Sequence, residues 1–219
     1  LNLQYNTSVA QPTLNQLLPV QDNTNSLSLF YGNRNLKPEL QNNVFAHWII
    51  FDQFSFTSFF TSLNLNYTKD KINWSRTIDE QFRQTATLIN VQDDYSARAN
   101  FDFSTPIRKL GVKVNAGFSE TWNRGLNLVN NLENVNTNLS HNFSLSLENR
   151  KKDKWDIVAG GSLRITDARY SLQESLNNRY TDYSYFAELR FTPNENWNFN
   201  ATADVTSYND QSFGESLTV

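Results

Sequence analysis

The chain has no cysteine. That excludes a disulfide framework, a thiol nucleophile and a cysteine metal site. Histidine is nearly missing too. Only His47 and His141 occur, and no paired-His or H-x-E spacing accompanies either, so they read as polar strand residues rather than metal ligands. No run approaches eighteen apolar residues, which excludes a transmembrane helix but not membrane strands of about 9–11 residues. The formal net charge is only -3. The basic face that nucleic acid requires is therefore lacking, and no nucleic-acid partner is expected. Methionine is also absent, and that absence excludes nothing. The prolines Pro12, Pro19, Pro38, Pro106 and Pro193 all fall between patterned runs. A proline cannot donate to a β-ladder, so this placement fits strands and breaks between them. No sustained helical period is found.

What the sequence does have is alternation. Tyr95, Ala97, Ala99, Phe101 and Phe103 fall on one side, and Ser96, Arg98, Asn100, Asp102 and Ser104 on the other. A period of two is a β-strand with one apolar and one wet face. The pattern returns at Leu139, His141, Phe143, Leu145 and Leu147, and again at Tyr183, Tyr185, Ala187, Leu189 and Phe191. Phe186, on the wet side of the last run, is the exception. The spacing predicts strands over Leu1–Asn6, Glu39–Phe51, Phe54–Ile78, Phe82–Ser104 and Val112–Arg124. It predicts five more over Val135–Glu148, Trp155–Thr166, Asn178–Phe191, Trp197–Ser207 and from about Leu217. Consecutive strands should pair antiparallel in an up-and-down meander.

The expected connections sort by parity. Asp52–Gln53, Thr105–Gly111, Asn149–Lys154 and Thr192–Asn196 form one short set. Thr7–Pro38, Gly125–Asn134, Asp167–Asn177 and Tyr208–Ser216, with a hairpin tip at Asp79–Gln81 on overlong strands, form the other. Outer-membrane barrels have this asymmetry, with short periplasmic turns and long outer loops. Aromatic residues stand beside the short turns: Phe51 and Phe54, Phe103, Trp155, then Phe191 and Trp197. They read as a girdle at one membrane–water interface. The height agrees. Five outward residues on a strand tilted by about 45° cover about 23 Å, close to the ~25 Å apolar band. The wet parity carries Asn100, Asp102, Asn142, Asp182, Glu188 and Arg190, suited to a polar lumen. A soluble β-sandwich would also alternate, and that alternative stays open here.

Several stretches carry a family resemblance. "GNRNLKPEL" at Gly32–Leu40 resembles the signature that precedes a barrel strand in TonB-dependent outer-membrane receptors, in their outer membrane protein β-barrel subfamily. "QPTLNQLLPVQDNTNSL" upstream resembles the loop leading into it. "FDFSTPIRKLG" at Phe101–Gly111 and "YSLQESLNNRYTDYSY" at Tyr170–Tyr185 fit the same subfamily. The resemblance implies a barrel of 22 strands around an N-terminal plug, of which residues 1–219 would be about ten strands of a single transmembrane domain. Plug and C-terminal strands would lie outside this stretch, which opens on Leu1 and is read as an internal piece. It further implies import of a bulky nutrient such as a metal chelate, glycan or peptide. The implied partners are the lipid bilayer, a TonB-type energy-coupling protein acting through the plug, the solute itself and a surface lipoprotein.

The chemical candidates are weak beside this. No nucleophile elbow occurs, and no catalytic, cofactor-binding or metal residue is assigned. Solute-contact residues are left open. Asp93–Asp94 and Asp22–Asn25 match no calcium-loop spacing. The basic turn Arg150, Lys151, Lys152 and Lys154 reads as a solvated turn that discourages edge pairing, with lipid head groups as the other reading. Gly160–Gly161 suggests a bulge or kink. The expectation is an all-β, antiparallel barrel segment in the bacterial outer membrane, without enzymatic activity or cofactor. A passive porin, or a soluble β-sandwich adhesin or glycan-binding module, is the alternative.

Overall fold

A computed structural model describes residues 1–19, 21–25, 28–210 and 214–218, with side chains for 1–19 and 29–209. In chain order the elements are β1 (Asn2–Ala10), helix α1 (Leu14–Leu17), β2 (Gln21–Asn25), β3 (Ser28–Tyr31), β4 (Glu39–Asp52), β5 (Thr57–Lys69), β6 (Ile72–Ile78) and β7 (Gln84–Asn90). Then follow β8 (Asp94–Ile107), β9 (Val112–Val129), β10 (Leu132–Asn149), β11 (Trp155–Tyr170), β12 (Asn178–Asn194), β13 (Trp197–Asp210) and β14 (Gly214–Thr218). All fourteen strands belong to one sheet. Its main path is β1-β4-β5-β8-β9-β10-β11-β12-β13-β14, and each neighbouring pair along it is antiparallel. Among the described residues β1 and β14 do not pair, so the wall is open at both edges. Among the described residues no second sheet packs on it, and a sandwich needs one.

Register carries the alternation from strand to strand. Thr61 pairs with Phe101, Phe101 with Phe118, Phe118 with Phe143, Phe143 with Leu163 and Leu163 with Tyr183. One residue on, Ser62 pairs with Asn100, Asn100 with Ser119, Ser119 with Asn142, Asn142 with Arg164 and Arg164 with Asp182. A slip of one residue anywhere would swap the faces from that strand onward. Rings pack across the apolar rows: Phe101 and Phe118 are 6.0 Å apart, Phe118 and Phe143 4.8 Å. Each such pair adds about 0.5–1.5 kcal/mol beyond area burial. The rule weakens on β4, where Phe45, His47, Ile49 and Phe51 share the parity paired with Asn64, Ser62, Phe60 and Ser58.

The girdle is partly redrawn. Trp155 stacks on Phe191 at 4.0 Å, Phe191 lies 6.2 Å from Phe199, and Phe199 is 5.8 Å from Trp197. These four share the apolar parity with Phe103. Phe51 does not. Its partner is Ser58, on the polar parity, and Phe54 belongs to the turn rather than to a strand.

Four connections differ from the sequence reading. The run Phe54–Ile78 is two strands, β5 and β6, broken at Asp70, whose φ is 55°. Aspartate tolerates this left-handed backbone, so the strand turns without glycine. The run Phe82–Ser104 likewise splits into β7 and β8. Gly125–Asn134 is no loop. β9 and β10 continue to a two-residue turn at Asn130 and Asn131, with φ of 51° and 63°. Two positive φ values make a type I′ turn, whose twist suits a hairpin and which asparagine favours. Thr7–Pro38 holds the end of β1, α1, β2 and β3. Helix α1 follows a capping box, with Gln16 accepting from the Thr13 backbone N–H at 2.7 Å. The final strand begins at Gly214 rather than near Leu217, and residues 211–213 and Val219 lie outside the described residues.

Gly160–Gly161 forms no bulge, because the pairing of β11 with β10 and β12 runs through it without a shift. A Cβ on Gly160 would meet Leu145 O at 2.6 Å and Phe186 Cε1 at 2.9 Å. One on Gly161 would meet the Tyr185 ring at 3.0 Å. Two aromatic rings lie over the glycines, one from each face. This explains Phe186, the aromatic that breaks the polar parity.

Candidate functional site

The buried apolar side chains among the described residues are Leu36, Ala86, Leu88, Val91 and Leu126. All five stand at the long-connection end. Strands β6 and β7 pair with each other there, β7 pairs parallel with β3, and β6 pairs parallel with β9 at Ser75–Leu128 and Arg76–Val129. The result is a small β-cap with its own core, continuous with the wall through β9. Phe30 and Trp74 meet edge to face at 5.6 Å, and the Arg76 guanidinium lies 5.5 Å from the Trp74 ring.

The Gly32–Glu39 run ties this cap together. A Cβ on Gly32 would sit 2.1 Å from Leu18 O, so only glycine fits. Asn33 donates from its backbone to Gln16 O at 2.7 Å and from its amide to Leu88 O at 2.9 Å. The Lys37 N–H donates to Asn90 Oδ1 at 2.7 Å, and the Asn90 amide returns bonds to Lys37 O at 2.9 Å and Asp70 O at 2.7 Å. Glu39 is 7% exposed. It accepts from Ile72 N–H at 2.8 Å and Gln41 Nε2 at 3.1 Å, and pairs with Lys71 at 3.3 Å. Burial pushes its carboxyl up, but the Ile72 N–H, Gln41 and Lys71 outweigh that, and the net shift is down. Burial raises Asp94 nearby. At the hairpin tip the Arg83 and Gln81 backbone N–H groups and the Arg83 guanidinium hold Asp79 low. Phe82 stands there 84% exposed at φ 59°.

The polar face below the cap is continuous. Near its middle a pocket of about 470 Å³ has a floor of Ser104, Asn115, Gly117, Ser144, Ser146 and Ser162. Further toward the cap a pocket of about 360 Å³ is lined by Arg98, Arg164 and neutral hydroxyl and amide groups. At the short-turn end a pocket of about 450 Å³ holds Phe51, Phe56, Lys113, Glu148, Arg150 and Lys152. Lys113 and Lys152 pair with Glu148 at 2.8 and 3.2 Å, and Lys152 also reaches Asp156 at 3.0 Å. Those two carboxylates hold the Lys152 ammonium above its ordinary value, Asp156 most strongly. The basic turn is thus largely self-neutralised at Lys152.

The two histidines part company. His47 lies on the polar parity opposite Ser62, its ring 5.4 Å from Phe45. His141 lies on the apolar parity, its Nδ1 3.2 Å from Glu120 Oε2. Among the described residues no three His, Cys, Asp or Glu side chains cluster as metal ligands. Asp93 approaches the Tyr95 hydroxyl at 3.4 Å. The side chains of Asp22–Asn25 lie outside the described residues.

An open antiparallel sheet with one apolar face, one polar face, short turns at one end and built connections at the other is the wall of a transmembrane β-barrel. The model of the family described as outer membrane protein beta-barrel family matches residues 1–131, more than half of the 219 residues. The chain belongs to that family and to the bacterial outer membrane. Its apolar face therefore meets lipid, its polar face the lumen, and its short turns the periplasm. No curated protein and no solved structure matches the chain.

Proposed function

We propose that this chain is part of the barrel of a TonB-dependent receptor, which captures a bulky scarce solute at its outer end and passes it inward when energised. Membership of an outer-membrane barrel family points to transport or structural work rather than catalysis. The observation that carries the finer reading is the cap. The run Gly32–Glu39, which resembles the receptor signature, fastens α1, β3, β6 and β7 into a body with its own buried core. A simple pore gains nothing from a folded body at its outer end, whereas a capture site needs rigid support. The plug and the energy-coupling partner belong to this proposal.

The test is conductance and uptake with the full-length protein. Planar bilayers should show little steady current from the intact protein, and deletion of the plug should open a large pore, since about 22 strands enclose a wide lumen. Uptake should require the energy-coupling partner. Free conduction of small ions by the intact protein, with uptake independent of a partner, would establish a passive porin instead.

A further inference from the structure

Two arginines of the polar face stand around one pocket. Arg98 on β8 and Arg164 on β11 line one pocket of about 360 Å³, together with Thr121, Asn138, Ser140 and Asn142. Every other lining residue there is also a neutral hydroxyl or amide, and no carboxylate takes part. Among the described residues neither arginine has a carboxylate partner. Arg98 makes only a long bond to Asn100 Oδ1 at 3.4 Å. Asp182 stands opposite Arg164 across the ladder, yet forms no ion pair with it. Among the described residues Lys71 pairs with Glu39, Lys113 with Glu148 and Arg169 with Asp167. Arg98 and Arg164 have no such pair, and they face one shared pocket.

Their spacing adds a constraint. Arg98 and Arg164 sit three strands apart, or about 14 Å between backbones. Their register rows are adjacent, because Arg98 pairs with Thr121 and Ser140 with Thr166, whereas Arg164 pairs with Asn142 and Ser119 with Asn100. Guanidinium forks bind oxyanions in a fixed, often bidentate geometry. The strands between them present the hydroxyls of Ser119, Thr121 and Ser140 and the amides of Asn138 and Asn142, groups that both donate and accept. We infer that this pocket is a lumen subsite for an acidic, hydroxyl-bearing solute with an oxyanion group at each end, one for Arg98 and one for Arg164. The inference rests on the reading of the lumen as a solute path.

The test uses the full-length protein in detergent and isothermal titration with three probes. Glucarate has two carboxylates joined by a hydroxylated chain. Sorbitol has the same carbon count with neutral ends, and inorganic phosphate is a single compact oxyanion. Glucarate should bind at least tenfold more tightly than either of the others. Arg98→Gln and Arg164→Gln should each weaken glucarate about tenfold. The charge-retaining Arg98→Lys and Arg164→Lys should fold normally and weaken it less. Asp182→Asn should leave glucarate binding unchanged or tighten it. Equal binding of sorbitol, glucarate binding unaltered by both Gln variants, or no glucarate binding by folded wild type would each overturn the inference. Phosphate binding as tightly as glucarate would overturn the two-ended ligand. Because the readout is binding rather than uptake, partner-independent uptake would remove the receptor reading and leave this site standing.

Discussion

Glu39 accepts a 2.8 Å hydrogen bond from the backbone N–H of Ile72, thirty-three residues further along the chain. This bond joins the first residue of a wall strand to the first residue of the cap hairpin. Asp70 has just turned the backbone through a left-handed conformation there, and the Ile72 N–H takes Glu39 as its acceptor. The carboxylate that ends the Gly32–Glu39 run thus serves the junction, with Lys71 closing the charge.

Glu39→Ala should loosen the cap and spare the wall. It leaves a part-buried N–H without its acceptor and the Lys71 ammonium without its partner, at a cost of about 1–3 kcal/mol. Hydrogen exchange should quicken in 72–78 and 84–90 and stay unchanged in 112–124. Uniform quickening, or none, would count against the cap as a separable body.

Acid should act on the same end. Asp79 and Glu39 are both held below their ordinary values of 3.8 and 4.5. A lowered carboxylate contributes stability that is fully present above the unfolded value and is lost as pH falls through the folded one. Asp94 is raised, so it contributes in the opposite sense and softens the loss. The cap should be unchanged from pH 7 to 5 and open at pH values below about 4. Exchange rates corrected for intrinsic pH dependence would reveal it. Opening that begins near pH 6 would contradict this.

Gly160→Val should destabilise the barrel by about 1–3 kcal/mol. The new Cβ would approach Leu145 O, which is backbone and cannot step aside. Ser146→Val, directly across the ladder, should cost less. Urea unfolding of the two variants in lipid vesicles compares them, and equal costs would remove the explanation given for Phe186.

Asn131→Val should cost about 1–2 kcal/mol, because a β-branched residue pays the left-handed penalty at φ 63°. Asn131→Gly should be neutral or stabilising in the same assay. If valine is harmless, the hairpin tip is not the turn described.

Much of the wall is legible in the sequence. Alternation around Phe101, Phe143 and Tyr185 fixes which residues share a face, and a period of two leaves little freedom once one face is greasy. The sorting of short and long connections survives only in part: Thr7–Pro38 is built up, but Gly125–Asn134 closes in a two-residue turn. The errors lie where long-range partners decide. Nothing local marks Phe51 as lumen-facing. Its parity comes from pairing with Ser58. Asp70 and the Asn130–Asn131 pair are turn signals, but polar residues are common on both sides of them, so they do not stand out. The cap is not legible in the sequence. Leu36, Leu88 and Leu126 are scattered in sequence, and only the pairing of β3, β6, β7 and β9 brings them together. For Arg98 and Arg164 the sequence gives their parity but not their shared pocket, which depends on the register of three intervening ladders.

The central claim is that one face of this wall meets lipid and the other a watery lumen. Spin labels on single cysteines at positions 97 to 104 of β8 test it most directly, introduced into a cysteine-free full-length protein in lipid vesicles. Ala97, Ala99, Phe101 and Phe103 positions should show high collision rates with oxygen, which concentrates in lipid. Arg98, Asn100, Asp102 and Ser104 positions should favour a water-soluble nickel chelate. The two accessibilities should oscillate out of phase with a period of two. In-phase or flat profiles, or a reversed parity, would contradict the account.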